Sequence, residues 1–295
     1  MIFLLQCLRR MFADTGIGRL PGLEPLYRLL FHSVRPHGIT QISTKEFPLF
    51  INAEGGGLHR VLLEQGVYEP ETAEAMRALL KPGMVMVDIG SNIGYFSVLC
   101  GKIVGPQGRI LCFEPSKENL DLLRRNIHLH GLCDRTTIVP SCVGAKSENV
   151  TLHLDSTNQG NHSLSATNIV QEQGAVTVPC TTLDTYLTLY PLPRIDLIKM
   201  DVQGAELQVL HGAMRTLKTY PTVRMIIEFW PFGLRNTGAD PEEVLQILRE
   251  AGFHFRDTEH MGESIDHYSN EQLIERCEAK RQGRGWINLL AEHRS

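Results

Sequence analysis

Asp88, Glu114, Lys199, Asp201 and Glu228 all stand at or near the end of a short apolar run, and Asp88 opens the stretch Asp88-Ile89-Gly90-Ser91-Asn92-Ile93-Gly94. A buried strand, a turn that only glycine permits and then a helix make the ligand cradle of an open α/β sheet, at the carboxyl end of its first strand. Gly90 and Gly94 can take positive φ and, without a Cβ, let a ligand approach the main chain. Dinucleotide sites read Gly-x-Gly-x-x-Gly because amides at a helix start meet a pyrophosphate. Here Asp88 replaces the first glycine of that fingerprint, and its charge would repel a phosphate but suit a cation. S-adenosylmethionine fits, with its sulfonium, its amino group and no phosphate. Beyond Gly94 a second apolar run, 109–113, ends in Glu114. A carboxylate offers only acceptors, which suits two vicinal ribose hydroxyls. The glycine motif alone recurs in many loops, but the strand before it, the helix after it and the acid-ended second strand make it specific. The expected cofactor contacts are Asp88, Gly90, Ser91, Asn92, Gly94 and Glu114.

The second cluster lies in Ile195-Asp196-Leu197-Ile198-Lys199-Met200-Asp201-Val202-Gln203-Gly204-Ala205-Glu206-Leu207. Residues two apart in a strand share a face, so Lys199 and Asp201 project together near the carboxyl end. A lysine inside an apolar strand is costly unless paired. The next strand, 223–227, ends at Glu228, which a doubly wound order places beside Asp201. Lys199, Asp201 and Glu228 are therefore the candidate catalytic groups; a structural ion pair among them is the other reading of the same residues.

The elements that must carry these groups alternate strand and helix, as a parallel sheet requires. Strands are expected at 85–89, 109–113, 137–140, 195–200 and 223–227, with helices over 93–104, 116–130 and 204–217. Ser141 and Cys142 follow the third strand and are candidate contacts for the cofactor's base, although Cys142 reads more readily as a buried apolar residue. Tyr68 and Glu69 precede a helix starting near Ala73 and could line the cofactor mouth, although Glu69 also suits a helix N-terminus. Between 149 and 180 the pattern alternates around a polar loop, 155–174, which reads as a hairpin insertion with a lid-like loop. Asn161, His162 and Ser163 are its candidate acceptor contacts, or else face solvent. A helix over 241–251 and strands near 254–256 and 286–290 close the sheet as an antiparallel hairpin, which plain dehydrogenase folds do not have.

At 295 residues the chain has room for one large domain with an N-terminal addition. Residues 1–45 read as a helical extension, packed on the domain or lying on a membrane surface or partner, and residues 46–295 as the catalytic domain. A net charge of -4 argues against a nucleic-acid partner. The 7 cysteines are scattered and form no Cys-x-x-Cys, so neither a zinc site nor a disulfide framework is indicated and a cytoplasmic setting is expected. No run approaches the roughly 18 apolar residues of a transmembrane segment.

Several stretches together resemble the FkbM-type S-adenosylmethionine-dependent methyltransferases. They are 68–72, Val87 through Ser97, Phe113-Glu114-Pro115, Thr182-Leu183-Asp184, Ile195 through Ala213, Ile226-Ile227-Glu228 and Asn288-Leu289-Leu290-Ala291. The Lys-x-Asp-x-x-Gly-x-Glu stretch followed by Val209-Leu210-x-Gly212-Ala213 is the most diagnostic. The resemblance implies a class I, Rossmann-like methyltransferase fold with a doubly wound, mostly parallel seven-stranded sheet. It implies methyl transfer to a hydroxyl oxygen of a small molecule, a glycan or a natural product. The sequence departs from the family pattern at Gln203, where the family often has glutamate, so a carboxylate triad is weakened.

The expected reaction is in-line attack of an acceptor oxygen on the sulfonium methyl, with Lys199, Asp201 or Glu228 as base and Asp201 favoured. Asp201 with Glu228 could instead hold a divalent cation, a less favoured arrangement for two carboxylates without a third ligand. A non-catalytic cofactor-binding module that docks a partner through residues 1–45 is the alternative from another class, and a homo-oligomer is compatible with either.

Overall fold

A computed structural model describes residues 36–158, 160, 162–260 and 263–293. The helices expected before residue 36, and Asn161, lie outside the described residues. The chain divides into two compact units, one reaching to Tyr68 and including Thr157–Gly160, the other beginning at Glu69.

In the first unit β1 (Ile39–Ser43) and β2 (Pro48–Asn52) form an antiparallel hairpin, with Ile42 opposite Leu49. This corrects the expectation of a helix running to about residue 45. Ile39, Thr40 and Ile42 are β-branched and favour a pleated strand. The turn is closed by Thr44, whose hydroxyl oxygen accepts from the Phe47 N–H at 3.1 Å. The division expected between residues 45 and 46 thus falls inside this turn. A helix, Leu58–Gln65, follows and ends at Gly66 in the left-handed region.

The second unit is built on β3 (Val85–Ile89), β4 (Arg109–Phe113) and β5 (Thr136–Val139), which pair in parallel. After them come the short strands β6 (Cys142–Val143), β7 (Glu148–Asp155) and β8 (Glu172–Thr181), which form a separate sheet in the order β6-β8-β7. This is the expected insertion. The main sheet then resumes with β9 (Leu197–Met200), β10 (Arg224–Phe229), β11 (Phe253–Asp257) and β12 (Ile287–His293). Its order is β11-β12-β10-β9-β3-β4-β5, with β12 antiparallel to both neighbours. That is the class I methyltransferase order, with strand order reversing between β3 and β9 so that a crevice opens at their carboxyl ends.

Alternation along the strands sorts the two faces. Val87, Ile89, Ile198, Met200, Ile227 and Phe229 belong to one large apolar cluster. The opposite face carries Asp88 and Lys199 at paired positions of β3 and β9, and Glu228 and Asn288 at paired positions of β10 and β12. One face of a central parallel sheet is therefore oily throughout and the other has a polar band near its carboxyl end.

The helix expected over 204–217 is two helices, Glu206–His211 and Met214–Thr219. The break follows from a cap supplied at a distance. The Asp184 carboxylate accepts from the N–H groups of Arg215 and Thr216 at 2.9 and 2.7 Å, satisfying the start of the second helix. Among the described residues, no helix is long and apolar enough to cross a membrane.

Candidate active site

The turn after β3 is folded tightly against its neighbours. Gly90, Asn92 and Gly94 have φ of 80°, 51° and 85°. The Gly90 and Ser91 N–H groups both donate to the Phe113 carbonyl, at 3.0 Å each, tying the turn to β4. A side chain at Gly90 would meet the Asp201 carbonyl oxygen at 1.9 Å, so only glycine lets the turn lie against the end of β9. Ser91 donates its hydroxyl to the Asp88 carbonyl at 2.7 Å, and Asn92 accepts from the Ile93 N–H at 2.8 Å. Both side chains thus brace the turn.

Glu114 stands beside this turn. Its carboxylate accepts from the N–H of Asn92 at 2.8 Å and from that of Ser116 at 2.9 Å. Burial pushes the carboxyl up to about 7, against those two hydrogen bonds. The Asn119 amide also donates to Oε1, at 3.4 Å, so the acceptor position left for a ribose hydroxyl is on Oε2. A glycine-cleared turn next to a buried two-oxygen acceptor fits the ribose and main-chain contacts of S-adenosylmethionine.

Asp88 sits deeper than expected. Its carboxylate is 1% exposed and accepts from the Ser97 hydroxyl at 2.5 Å, while Oδ1 has no hydrogen-bond partner. Burial raises its pKa, opposed by the charge of Lys199. The side chain therefore points beneath the turn at the helix Tyr95–Val104 and at β9, where it props the cradle from inside.

Lys199 donates to Asp201 at 3.0 Å and lies over the Phe96 ring, 5.1 Å from its centroid. Burial disfavours its charge, but Asp201, Asp88 and Glu69 outweigh that and hold the ammonium above its ordinary range. A lysine so paired is held in its charged form and is a counter-charge of the site. For Asp201, burial is outweighed by Lys199 and by hydrogen bonds, so its pKa is lowered. Glu228 goes the other way: burial first, then the negative charges of Asp201, Glu69 and Glu206, push it well above the carboxylate range. Asp201 is thus held toward its ionised form and Glu228 toward its protonated form, as two neighbouring acids that titrate together.

Gln203 completes the group. Its side-chain amide donates to Asp201 Oδ1 and to Glu228 Oε2, at 2.7 Å each. Directly opposite Glu228 on β12, Asn288 donates to Glu69 at 3.2 Å and to Thr72 at 3.0 Å, fixing Glu69, which has φ of 40°. The expected convergence of Lys199, Asp201 and Glu228 beside the glycine turn is thus present in the structure, with Glu69 on its flank.

Ser141 and Cys142 are placed differently. The Ser141 hydroxyl donates to the Pro179 carbonyl at 2.9 Å, and Cys142 packs with Leu152, Val178 and Cys180 in the core of the small sheet. Their side chains serve the insertion. His162 accepts from the Asp155 N–H at 3.1 Å, and Ser163 is buried rather than solvent-facing.

Sequence reasoning missed Gln203 as a bridge, and also Asn168 and Glu206. The buried Asn168 amide donates to the carbonyls of Gln203 and Gly233 at 2.9 and 3.1 Å, linking the insertion to the turn after β9 and to the helix Pro231–Asn236 after β10. Glu206 accepts from the Gly204 N–H at 3.1 Å, and burial raises it to about 7. The acid at the end of Lys-x-Asp-x-x-Gly-x-Glu was the available signal for Glu206; Asn168 carries none in the sequence. Among the described residues, no group of three or more His, Cys, Asp or Glu side chains is arranged to hold a metal ion.

The sequence profile of the methyltransferase FkbM domain matches residues 88–255. The chain is similar to the hexuronic acid methyltransferase AglP of Haloferax volcanii, 27% identical over 169 residues that cover 57% of this chain and 62% of that protein. It is also similar to the methyltransferase sdnD of Sordaria araneosa, 30% identical over 197 residues, covering 57% and 73% respectively. The 2-O-methyltransferase NoeI of Sinorhizobium fredii is 28% identical over 171 residues, covering 52% and 69%. The chain thus spans 62% of the length of AglP.

Proposed function

The chain belongs to the FkbM methyltransferase family, and from that premise we propose that it transfers a methyl group from S-adenosylmethionine to a hydroxyl oxygen of a sugar or other hydroxylated small molecule. The observation that carries this reading is the placing of Asp201 and Glu228 just beyond and at the carboxyl ends of adjacent strands, bridged by the Gln203 amide, with the Asp201 carbonyl against the glycine turn. The names of AglP and NoeI, a hexuronic acid methyltransferase and a 2-O-methyltransferase, support a hydroxylated acceptor.

When bound, S-adenosylmethionine supplies an activated methyl group on a sulfonium. Gly90, Asn92 and Gly94 shape the main chain that faces it, and Glu114 offers a ribose hydroxyl the open acceptor position on its Oε2. Asp88 and Lys199 hold the turn and the end of β9 in register from beneath. Asp201, ionised and partly accessible, takes the acceptor's hydroxyl proton, and Lys199 keeps it ionised until it does so. Glu228, already protonated, keeps a second negative charge away from Asp201. Alignment and exclusion of water supply the rest of the barrier reduction.

The test is calorimetric titration of the purified chain with S-adenosylmethionine and S-adenosylhomocysteine, repeated on Glu114→Ala, followed by transfer of a labelled methyl group to a panel of hydroxylated glycosides. Micromolar binding that Glu114→Ala abolishes, with label appearing in an ether, is the expected result. Binding without transfer to any member of the panel would favour a cofactor-binding module over an enzyme. No binding would remove both readings.

A further inference from the structure

Two carboxyl groups at the ends of neighbouring strands repel unless something lies between them. The usual solutions are a divalent cation or a shared proton backed by donors. In this chain the space between Asp201 and Glu228 is filled by the Gln203 amide, whose two hydrogens point one to each group at 2.7 Å. The other oxygen of Asp201 is taken by Lys199 at 3.0 Å.

The main chain that presents this amide is held in a costly conformation. Gln203 has φ of 54°, which a non-glycine residue adopts only when its surroundings impose it. Three groups impose it. Ser163 and Asn168 donate to the Gln203 carbonyl, both at 2.9 Å, and the Glu206 carboxylate accepts the N–H of Gly204. The strain and its supports have one outcome, which is to aim a neutral two-hydrogen donor between two acids.

We propose that Gln203 is the positioning residue that makes the Asp201–Glu228 pair a metal-independent proton acceptor, its amide standing where a bridging divalent cation would otherwise be needed. The inference rests on the reading of Asp201 as the group that takes the acceptor's proton. Because the amide is neutral, the pair keeps one negative charge and one proton, and so has room for one more. The acceptor O–H bond breaks, its proton goes to Asp201 and the electron pair stays on the acceptor oxygen. A glutamate at the same position would bring three carboxylates together and demand a cation or a further proton.

The experiment needs neither acceptor nor turnover. Protein labelled with ¹³C at the Asp and Glu carboxyls is titrated by NMR, and the same protein is titrated calorimetrically with MnCl₂. Both are done on the wild type, Gln203→Glu and Gln203→Leu. The groups that face the pair are Lys199, Asp88, Glu69 and Glu206, and they are unchanged in all three proteins. In the wild type the pair should titrate identically with MnCl₂ or with a chelator. Gln203→Glu should bind Mn²⁺ at least about ten-fold more tightly than the wild type. Gln203→Leu should titrate Asp201 about one pH unit higher, having lost a donor to its ionised form. Wild-type protein that binds Mn²⁺ as tightly as Gln203→Glu, and loses that binding in Asp201→Asn, would overturn the proposal. So would a carboxyl titration that neither substitution moves. Gln203→Glu is nearly isosteric and decides the matter if Gln203→Leu does not fold. S-adenosylmethionine binding and methyl transfer are read separately, so their failure would strike the methyltransferase reading and leave this result standing on its own.

Discussion

A side chain on Gly90 would put its Cβ 1.9 Å from the carbonyl oxygen of Asp201, so the cradle and the proposed base share a backbone contact. Changing Gly90 to Ala adds this clash to a left-handed φ of 80°. The expected cost is at least about 2 kcal/mol, with cofactor binding lost as the turn lifts off β9. Gly83 is the control, because it has φ of 84° but nothing within 4 Å of its Cβ position. Gly83→Ala should cost about 1 kcal/mol and leave cofactor affinity as it is. Scanning and titration calorimetry on both variants would check this; equal effects would deny the contact any role.

Asp201 and Glu228 differ in charge, so amides at the two positions should differ in effect. Burial and the neighbouring acids hold Glu228 toward its protonated form, whose neutral shape Glu228→Gln preserves. Asp201→Asn removes the group that accepts the proton, and should lower kcat about 10²-fold or more with cofactor affinity unchanged. Glu228→Gln should lower it by about ten-fold or less. Single-turnover rates for both variants would decide, and a larger loss in Glu228→Gln would reassign the base.

Glu114 and Glu206 are both raised from 4.5 to about 7 by burial. Folding therefore favours their protonated forms, so the stability each contributes is whole below about pH 4.5 and lost as pH rises through about 7. Cofactor binding should run the opposite way at Glu114, since the ionised carboxylate is the better ribose acceptor: affinity should fall as pH drops below about 7. Glu114→Gln should bind more weakly and lose that pH dependence. Urea melts and titration calorimetry between pH 5.5 and 8.5 measure the two trends, and a wild-type affinity flat across this range would contradict the ribose role.

Lys199 is the counter-charge to the buried Asp88 and the half-buried Asp201. Replacing it with Met leaves both uncompensated and should cost about 3–5 kcal/mol. Adding Asp201→Asn should recover part of that loss. A double-mutant cycle in urea tests this, and strictly additive costs would mean that the pair at 3.0 Å contributes no coupling.

Much of this site was readable because strand ends announce themselves. The apolar runs closing on Asp88, Glu114 and Glu228 carry their own boundaries, and the alternation of strand and helix gives the order in which a parallel sheet must stack them. The direction of the Asp88 carboxylate was not readable, because it depends on Ser97, which reaches it from one helix away. Gln203 looked like the loss of an acid and is instead a bridge, because its role depends on a positive φ that nothing local in the sequence demands. Asn168 binds carbonyls 35 and 65 residues away, and such pairings leave no periodic trace. Likewise, the break between Glu206–His211 and Met214–Thr219 is set by Asp184, 31 residues before the Arg215 N–H that it accepts.

The last strand described, β12, is wedged between β10 and β11 rather than added at an edge. A chain that folds as it is synthesised can lay down β3, β4, β9 and β10 in turn, but β11 has no hydrogen-bonded neighbour in the sheet until β12 arrives to separate and join them. The same strand brings Asn288 to Glu69 and to the row of Glu228. Assembly of the sheet and assembly of the flank of the site are therefore one late event, so that a nascent chain interrupted before residue 287 would have its glycine turn already formed and the Asn288 contact to Glu69 still to be made.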